Sequence, residues 1–183
     1  MLARMITLCV ALILSPAFSV LAENSITTEK ISLDDVPAEA KEGADAAEPG
    51  TVWNAAQQQT NEASSVKTWY RLLGKKQLRA AKERITADGD VEQTPADIRN
   101  IEVRVKPDGG LIDIVADVPA EELPEVVVAA LKKENELEPQ FGRSVRTTAK
   151  GKPYSYVVWL DANGFIKYIV SADGTKLERL EQK

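Results

Sequence analysis

IEVRVKPDGGLIDI, residues 101–114, alternates apolar and polar side chains on both sides of Pro107-Asp108-Gly109. Period-two alternation broken by a turn tripeptide predicts two antiparallel strands and a hairpin. IKYIVSADGTKLER, residues 166–179, repeats the plan around Ala172-Asp173-Gly174. Ala87-Asp88-Gly89 and Ala162-Asn163-Gly164 share the formula. Pro or Ala suits the first position of a type I turn and Asp or Asn the second. Gly then takes the left-handed conformation that closes a three-residue loop. A calcium loop would need alternating acidic ligands and a distal glutamate, and the run from Asp88 to Pro95 does not supply that order. These loops read as turns.

Three-residue loops fix a register. Leu160 then faces Ile166, Val158 faces Tyr168 and Tyr156 faces Val170. Side chains alternate across a sheet, so Tyr154, Tyr156, Val158, Leu160, Ile166, Tyr168 and Val170 share one apolar face, as do Ile101, Val103, Val105, Leu111 and Val115. That face is expected beneath helices. The opposite face would carry Val157, Trp159, Lys167, Ile169, Leu177 and Arg179, with Glu102, Arg104, Ile112 and Ile114 from the earlier hairpin. A merely solvated face would be Thr, Ser, Lys and Glu. Apolar residues mixed with an indole and guanidinium groups have the composition enriched at protein contacts. The candidate partner-binding face is therefore Arg104, Ile112, Ile114, Val157, Trp159, Lys167, Ile169, Leu177 and Arg179. Packing of the two halves against each other through this face, and a tail that covers it, are the competing readings.

Two short helices complete the pattern. Pro37 opens one behind Asp34 and Asp35, with Ala40, Ala44 and Ala47 on one face, and Pro49-Gly50 stops it. Pro124 opens the other behind Glu121 and Glu122, with Val127, Val128 and Leu131 in a stripe, and Pro139 closes the segment. Aligning Pro37 with Pro124 and Asp108-Gly109 with Asp173-Gly174 predicts an α+β fold of two tandem helix-plus-antiparallel-sheet units. The first covers residues 34–117 and the second 118–183, after a polar lead-in at 23–33. The stretch at about 75–98 has no counterpart in the second unit and reads as an insertion, either a helix along Leu78, Ala81 and Ile85 or another hairpin.

MLARMITLCVALILSPAFSVLA, residues 1–22, has one charge at Arg4, a short apolar run, and Val20 and Ala22 before a cleavage position. This predicts a signal peptide and a periplasmic or secreted protein. The apolar run is too short to span a bilayer, and Pro16 interrupts it, so no membrane attachment is expected after cleavage. The single cysteine, Cys9, lies in this segment, which excludes a disulfide framework. The chain has no histidine, 23 Lys and Arg, and 28 Asp and Glu. That acidic balance argues against nucleic acid. Absence of His and of any other Cys removes the usual catalytic triads and zinc ligands, and no glycine-rich phosphate loop occurs. No enzyme, cofactor or metal is expected.

Val36-Pro37-Ala38-Glu39, Pro49-Gly50, Val103-Arg104-Val105-Lys106-Pro107-Asp108-Gly109, Leu123-Pro124-Glu125-Val126 and Ile169-Val170-Ser171-Ala172-Asp173-Gly174 occur in the order seen in PepSY-like domains of exported bacterial proteins. The chain resembles that family, in particular its β-lactamase-inhibitor-like variant, over most of its length. The resemblance implies a tandem helix-plus-four-strand fold, a non-catalytic role, and inhibition of an exported protease or β-lactamase-type hydrolase. It carries over no functional residue, since no inhibitory-loop motif is present. The expected function is a non-enzymatic protein-binding module of the cell envelope. The alternatives are a periplasmic small-ligand or cation (calcium) binder using acidic loops such as Asp88-Gly89-Asp90, and a structural part of the envelope.

Overall fold

A computed structural model describes residues 26–88, 90–161 and 166–180. The proposed signal peptide and its cleavage position lie outside them, as do Gly89 and the Ala162-Asn163-Gly164 turn.

Among the described residues eleven strands and two α-helices follow in chain order. They are β1 (Thr27–Ile31), α1 (Ala38–Ala47), β2 (Val52–Thr60), β3 (Thr68–Arg79), β4 (Lys82–Ile85), β5 (Val91–Thr94), β6 (Asp97–Val105), β7 (Leu111–Pro119), α2 (Glu125–Glu134), β8 (Phe141–Arg146), β9 (Ser155–Trp159), β10 (Lys167–Ser171) and β11 (Leu177–Leu180). Nine of the strands form one antiparallel sheet in the order β1-β2-β3-β6-β7-β8-β9-β10-β11. This overturns the expected α+β pair of tandem helix-plus-sheet units. Strands take 48% of the described residues and helical turns 17%. The physical reason lies in β7, which contains both Asp117 and Val118. Its ladder to β8, from Ile114–Arg146 to Pro119–Phe141, carries main-chain pairing without a break. Part of the expected polar lead-in is likewise an edge strand, β1, paired with β2 from Thr27–Thr60 to Ile31–Ala56.

Both helices lie on one face of the sheet. Ala40, Ala44 and Ala47 of α1 are buried against Leu72, Val103, Val105 and Ile114, which demand a small-residue helix face. Val127, Ala130 and Leu131 of α2 are buried with Tyr156, Val158, Tyr168 and Val170. Between these clusters β8 presents only Gly142, Ser144 and Arg146 to this face, so the apolar core divides there. The buried Glu48 carboxylate, just past α1, takes Arg146 and the Lys76 Nζ at 2.8 Å.

The two Asp-Gly turns are clasps for the helices. Gly109 (φ 80°) and Gly174 (φ 70°) are left-handed. A Cβ on Gly109 would lie 2.5 Å from the Glu39 carbonyl oxygen in α1, and one on Gly174 would lie 2.6 Å from that of Val126 in α2. Glycine is needed there twice over, for the turn and for the backbone approach. The Asp side chains serve their own loops. Asp108 Oδ1 accepts the Gly110 N–H at 2.9 Å, and Asp173 Oδ1 accepts the Thr175 N–H at 3.0 Å and the Ser171 hydroxyl at 2.6 Å.

Register departs from expectation at two places. The Pro107–Gly109 loop has three residues, closed by the Lys106 N–H to the Gly110 carbonyl at 2.8 Å. Beyond it a bulge skips Ile112, so Val103 pairs with Ile114 and Glu102 with Val115. One extra residue exchanges the faces. Ile114 is fully buried in the core, while Val115 lies on the bare face. At the second hairpin the Ser171 N–H reaches the Lys176 carbonyl, leaving four residues in the loop instead of three. Leu177 therefore pairs with Val170, and Arg179 with Tyr168, on the helix-bearing side. Tyr154, expected in the core, stands before β9 and is 53% exposed. The expected pairs Val158–Tyr168 and Tyr156–Val170 form as read.

The described part of the 75–98 stretch is the end of β3, the strands β4 and β5 and the start of β6, joined by short non-strand links, with no helix. β3 and β6 stay paired beyond the ends of their ladders to β2 and β7, and β4 pairs only with β5 in a separate two-stranded sheet.

Candidate functional site

The helix-free face follows from the ladders. β3 turns Trp69, Arg71, Leu73 and Lys75 toward it. β6 contributes Asn100, Glu102 and Arg104, β7 Asp113, Val115 and Asp117, and β8 Phe141, Arg143 and Val145. Val157 and Trp159 of β9 and Lys167 and Ile169 of β10 continue the face.

Polar side chains here pair across strands. Trp69 Nε1 donates to Gln59 Oε1 at 2.7 Å, and Arg71 Nη1 to Gln57 Oε1 at 3.0 Å. Arg71 Nη2 reaches Glu102 Oε2 at 2.6 Å, and Arg143 Nη1 lies 3.5 Å from the same oxygen. Arg143 Nε donates to Asp117 Oδ1 at 3.0 Å, while Asn100 Nδ2 donates to Asp117 Oδ2 at 2.6 Å. Arg104 grips Asp113 with two nitrogens, Nε at 2.7 Å, and this bond raises the Arg104 pKa against the opposing effect of burial. Three guanidiniums thus meet three carboxylates. Glu102 is only 6% exposed between its two arginines. A buried carboxylate is tolerable there because its oxygens are paired and hydrogen-bonded.

Apolar side chains gather at both ends of the face. Phe141 and Trp159 stack with centroids 4.4 Å apart and planes 9° from parallel, and Phe141 is 40% exposed. Beside them a cleft of about 420 Å³ is lined by Asn54, Leu73, Asn100, Asp117 and Arg143. Residues of β2 and β9 line the same cleft, so this face curves into a trough across six strands. At the other end Trp69, Arg104, Leu111 and Ile112 line a second cleft of about 320 Å³.

Of the nine residues expected on the contact face, Arg104, Ile112, Val157, Trp159, Lys167 and Ile169 lie on it. Ile114 is core, and Leu177 and Arg179 are on the helix side, for the bulge and loop-length reasons above. The sequence reading missed Phe141, Arg143, Trp69, Arg71 and Leu73. Their signal was present: TWYRLLG (68–74) and FGRSVR (141–146) alternate in the strand period.

Among the described residues no group of three or more His, Cys, Asp or Glu side chains could hold a metal ion. Glu102, Asp113 and Asp117 on the bare face are each engaged by arginine. No helix among the described residues is long and apolar enough to cross a membrane. The chain matches no family model, no curated protein and no solved structure.

Proposed function

We propose that the chain is an exported, non-enzymatic protein-binding module of the cell envelope that presents the bare face of its sheet to a partner. The observation that carries this reading is the Phe141–Trp159 stack, partly exposed beside a charge-neutral arginine–carboxylate lattice. Stacked aromatics supply apolar contact area at low rotamer cost, and neighbouring arginines already held in place lose little entropy on binding. A neutral lattice selects a partner by shape and aromatic contact more than by long-range charge. Export rests on the N-terminal sequence. The resemblance to PepSY-like domains points to an exported protease or β-lactamase-type hydrolase as target.

The test is binding and inhibition of purified exported hydrolases by the mature chain and by Phe141→Ala and Trp159→Ala. Affinity in the wild type that both substitutions abolish, without loss of fold, supports the reading. Binding indifferent to both substitutions refutes it. A small-ligand reading is favoured by one feature, the 420 Å³ cleft, which falls in the size range of ligand sites. A native-state ligand, calcium included, would raise the melting midpoint with concentration.

A further inference from the structure

The insertion carries an arm that none of the described residues covers. Every residue of β4 and β5 is exposed, with Ile85 at 73% and its cross-strand partner Val91 at 59%. A lone two-stranded hairpin is marginal in water. Its root is nevertheless fixed: Arg99 binds Glu122 through both terminal nitrogens, at 2.8 and 2.6 Å, and Asp97 at 2.9 Å. A held base with a bare apolar tip is the form of a docking element.

The same molecule offers a complementary surface. The trough crosses six strands, about 24 Å at the usual interstrand spacing, and each arm strand is about 13 Å long. One apolar end joins Phe141 and Trp159 to Ile98, which is 56% exposed and lies beside Phe141 in the adjoining cleft. Charges also match. The arm has Glu83, Asp88, Asp90 and Glu92 against Lys82 and Arg84, an excess of two carboxylates. On the bare face, Lys75 lies beside Leu73, and Lys167 pairs with Trp159. Neither lysine has an ion-pair partner among the described residues. The arm continues β3 and β6 beyond the end of its own trough, so it is placed to enter another.

We propose that two copies of the chain exchange arms, the β4–β5 hairpin of each seating Ile85 and Val91 on the Phe141–Trp159 end of the other's trough. A reciprocal contact closes as a two-fold dimer, where a one-way contact would build an open chain. The inference rests on reading the bare face as a contact surface and names a second copy as its occupant.

Sedimentation equilibrium of the mature chain, from about 1 to 100 µM, tests it. The wild type is expected to dimerise. An arm variant, Ile85→Asp with Val91→Asp, and a trough variant, Lys75→Glu with Lys167→Glu, should each weaken the dimer at least about tenfold. Mixing the two variants leaves one intact arm–trough pair and should yield a heterodimer tighter than either variant with itself. A wild type monomeric at about 100 µM, an arm variant that dimerises as the wild type does, or a mixture no tighter than its components overturns the exchange. The hydrolase-binding assay with Trp159→Ala reads the contact face separately, so loss of the exchange does not decide that reading.

Discussion

Replacing glycine by alanine at three left-handed positions separates conformational cost from contact cost. Gly50, Gly109 and Gly174 have φ of 80°, 80° and 70°. Any L-residue there costs about 1–2 kcal/mol. At Gly50 a new Cβ meets nothing within 4 Å, so Gly50→Ala should cost only that much, reduced by the lower entropy of the unfolded chain. At Gly109 and Gly174 the new Cβ would stand 2.5 and 2.6 Å from backbone carbonyl oxygens of α1 and α2. A carbonyl inside a helix cannot turn aside as a side chain can, so the whole first turn must retreat from the sheet. Overpacking of this kind adds about 1–3 kcal/mol, giving about 2–5 kcal/mol in all at these two sites. Urea unfolding with a shared slope measures the difference. Gly109→Ala and Gly174→Ala no more destabilising than Gly50→Ala would mean that the turns do not hold the helices.

Glu102→Ala should cost about 1–3 kcal/mol, because it strips Arg71 and Arg143 of a buried partner; equilibrium unfolding reads it. Replacing residues 80–96 with an Asn-Gly turn should leave the monomer's stability within about 0.5 kcal/mol, since both arm strands are exposed. The Asp173 pKa is lowered to about 2, chiefly by the Ser171 hydroxyl and then by Thr175. A depressed carboxylate contributes stability above its unfolded pKa and loses it as pH falls through the folded one. The Asp173 carboxyl should therefore titrate near pH 2 by carbon NMR, and Asp173→Asn should melt below the wild type at neutral pH with the gap closing between about pH 4 and 2.

Much of the local structure was legible in the sequence. Ala40, Ala44 and Ala47 mark the buried stripe of α1, and of the three positive-φ glycines Gly109 and Gly174 fall at the quoted Asp-Gly turns and Gly50 at the Pro49-Gly50 stop of α1. The face of Tyr156, Val158, Tyr168 and Val170 followed from alternation alone. What failed was one-residue bookkeeping. A bulge at Ile112 and a fourth residue in the 172–175 loop each moved residues to the other side of the sheet, because strand periodicity is two and a single insertion inverts it. Neither carries a distinctive residue signal: Ile112 suits a strand, and Thr175 suits either loop. The joining of the strands into one sheet was hidden for a related reason. Pairing of β7 with β8 is a long-range choice that alternation permits but does not specify. The Phe141–Trp159 stack depends on that choice.

The most direct measurement compares equilibrium unfolding of Tyr156→Ala and Trp159→Ala, three residues apart and on opposite faces. Loss of the Tyr156 ring from the core should cost about 3–5 kcal/mol, while loss of the partly buried Trp159 indole, stacked on a Phe141 that is itself 40% exposed, should cost less, about 1–3 kcal/mol. Equal and large losses would place Trp159 in an internal core and leave no bare face for a partner.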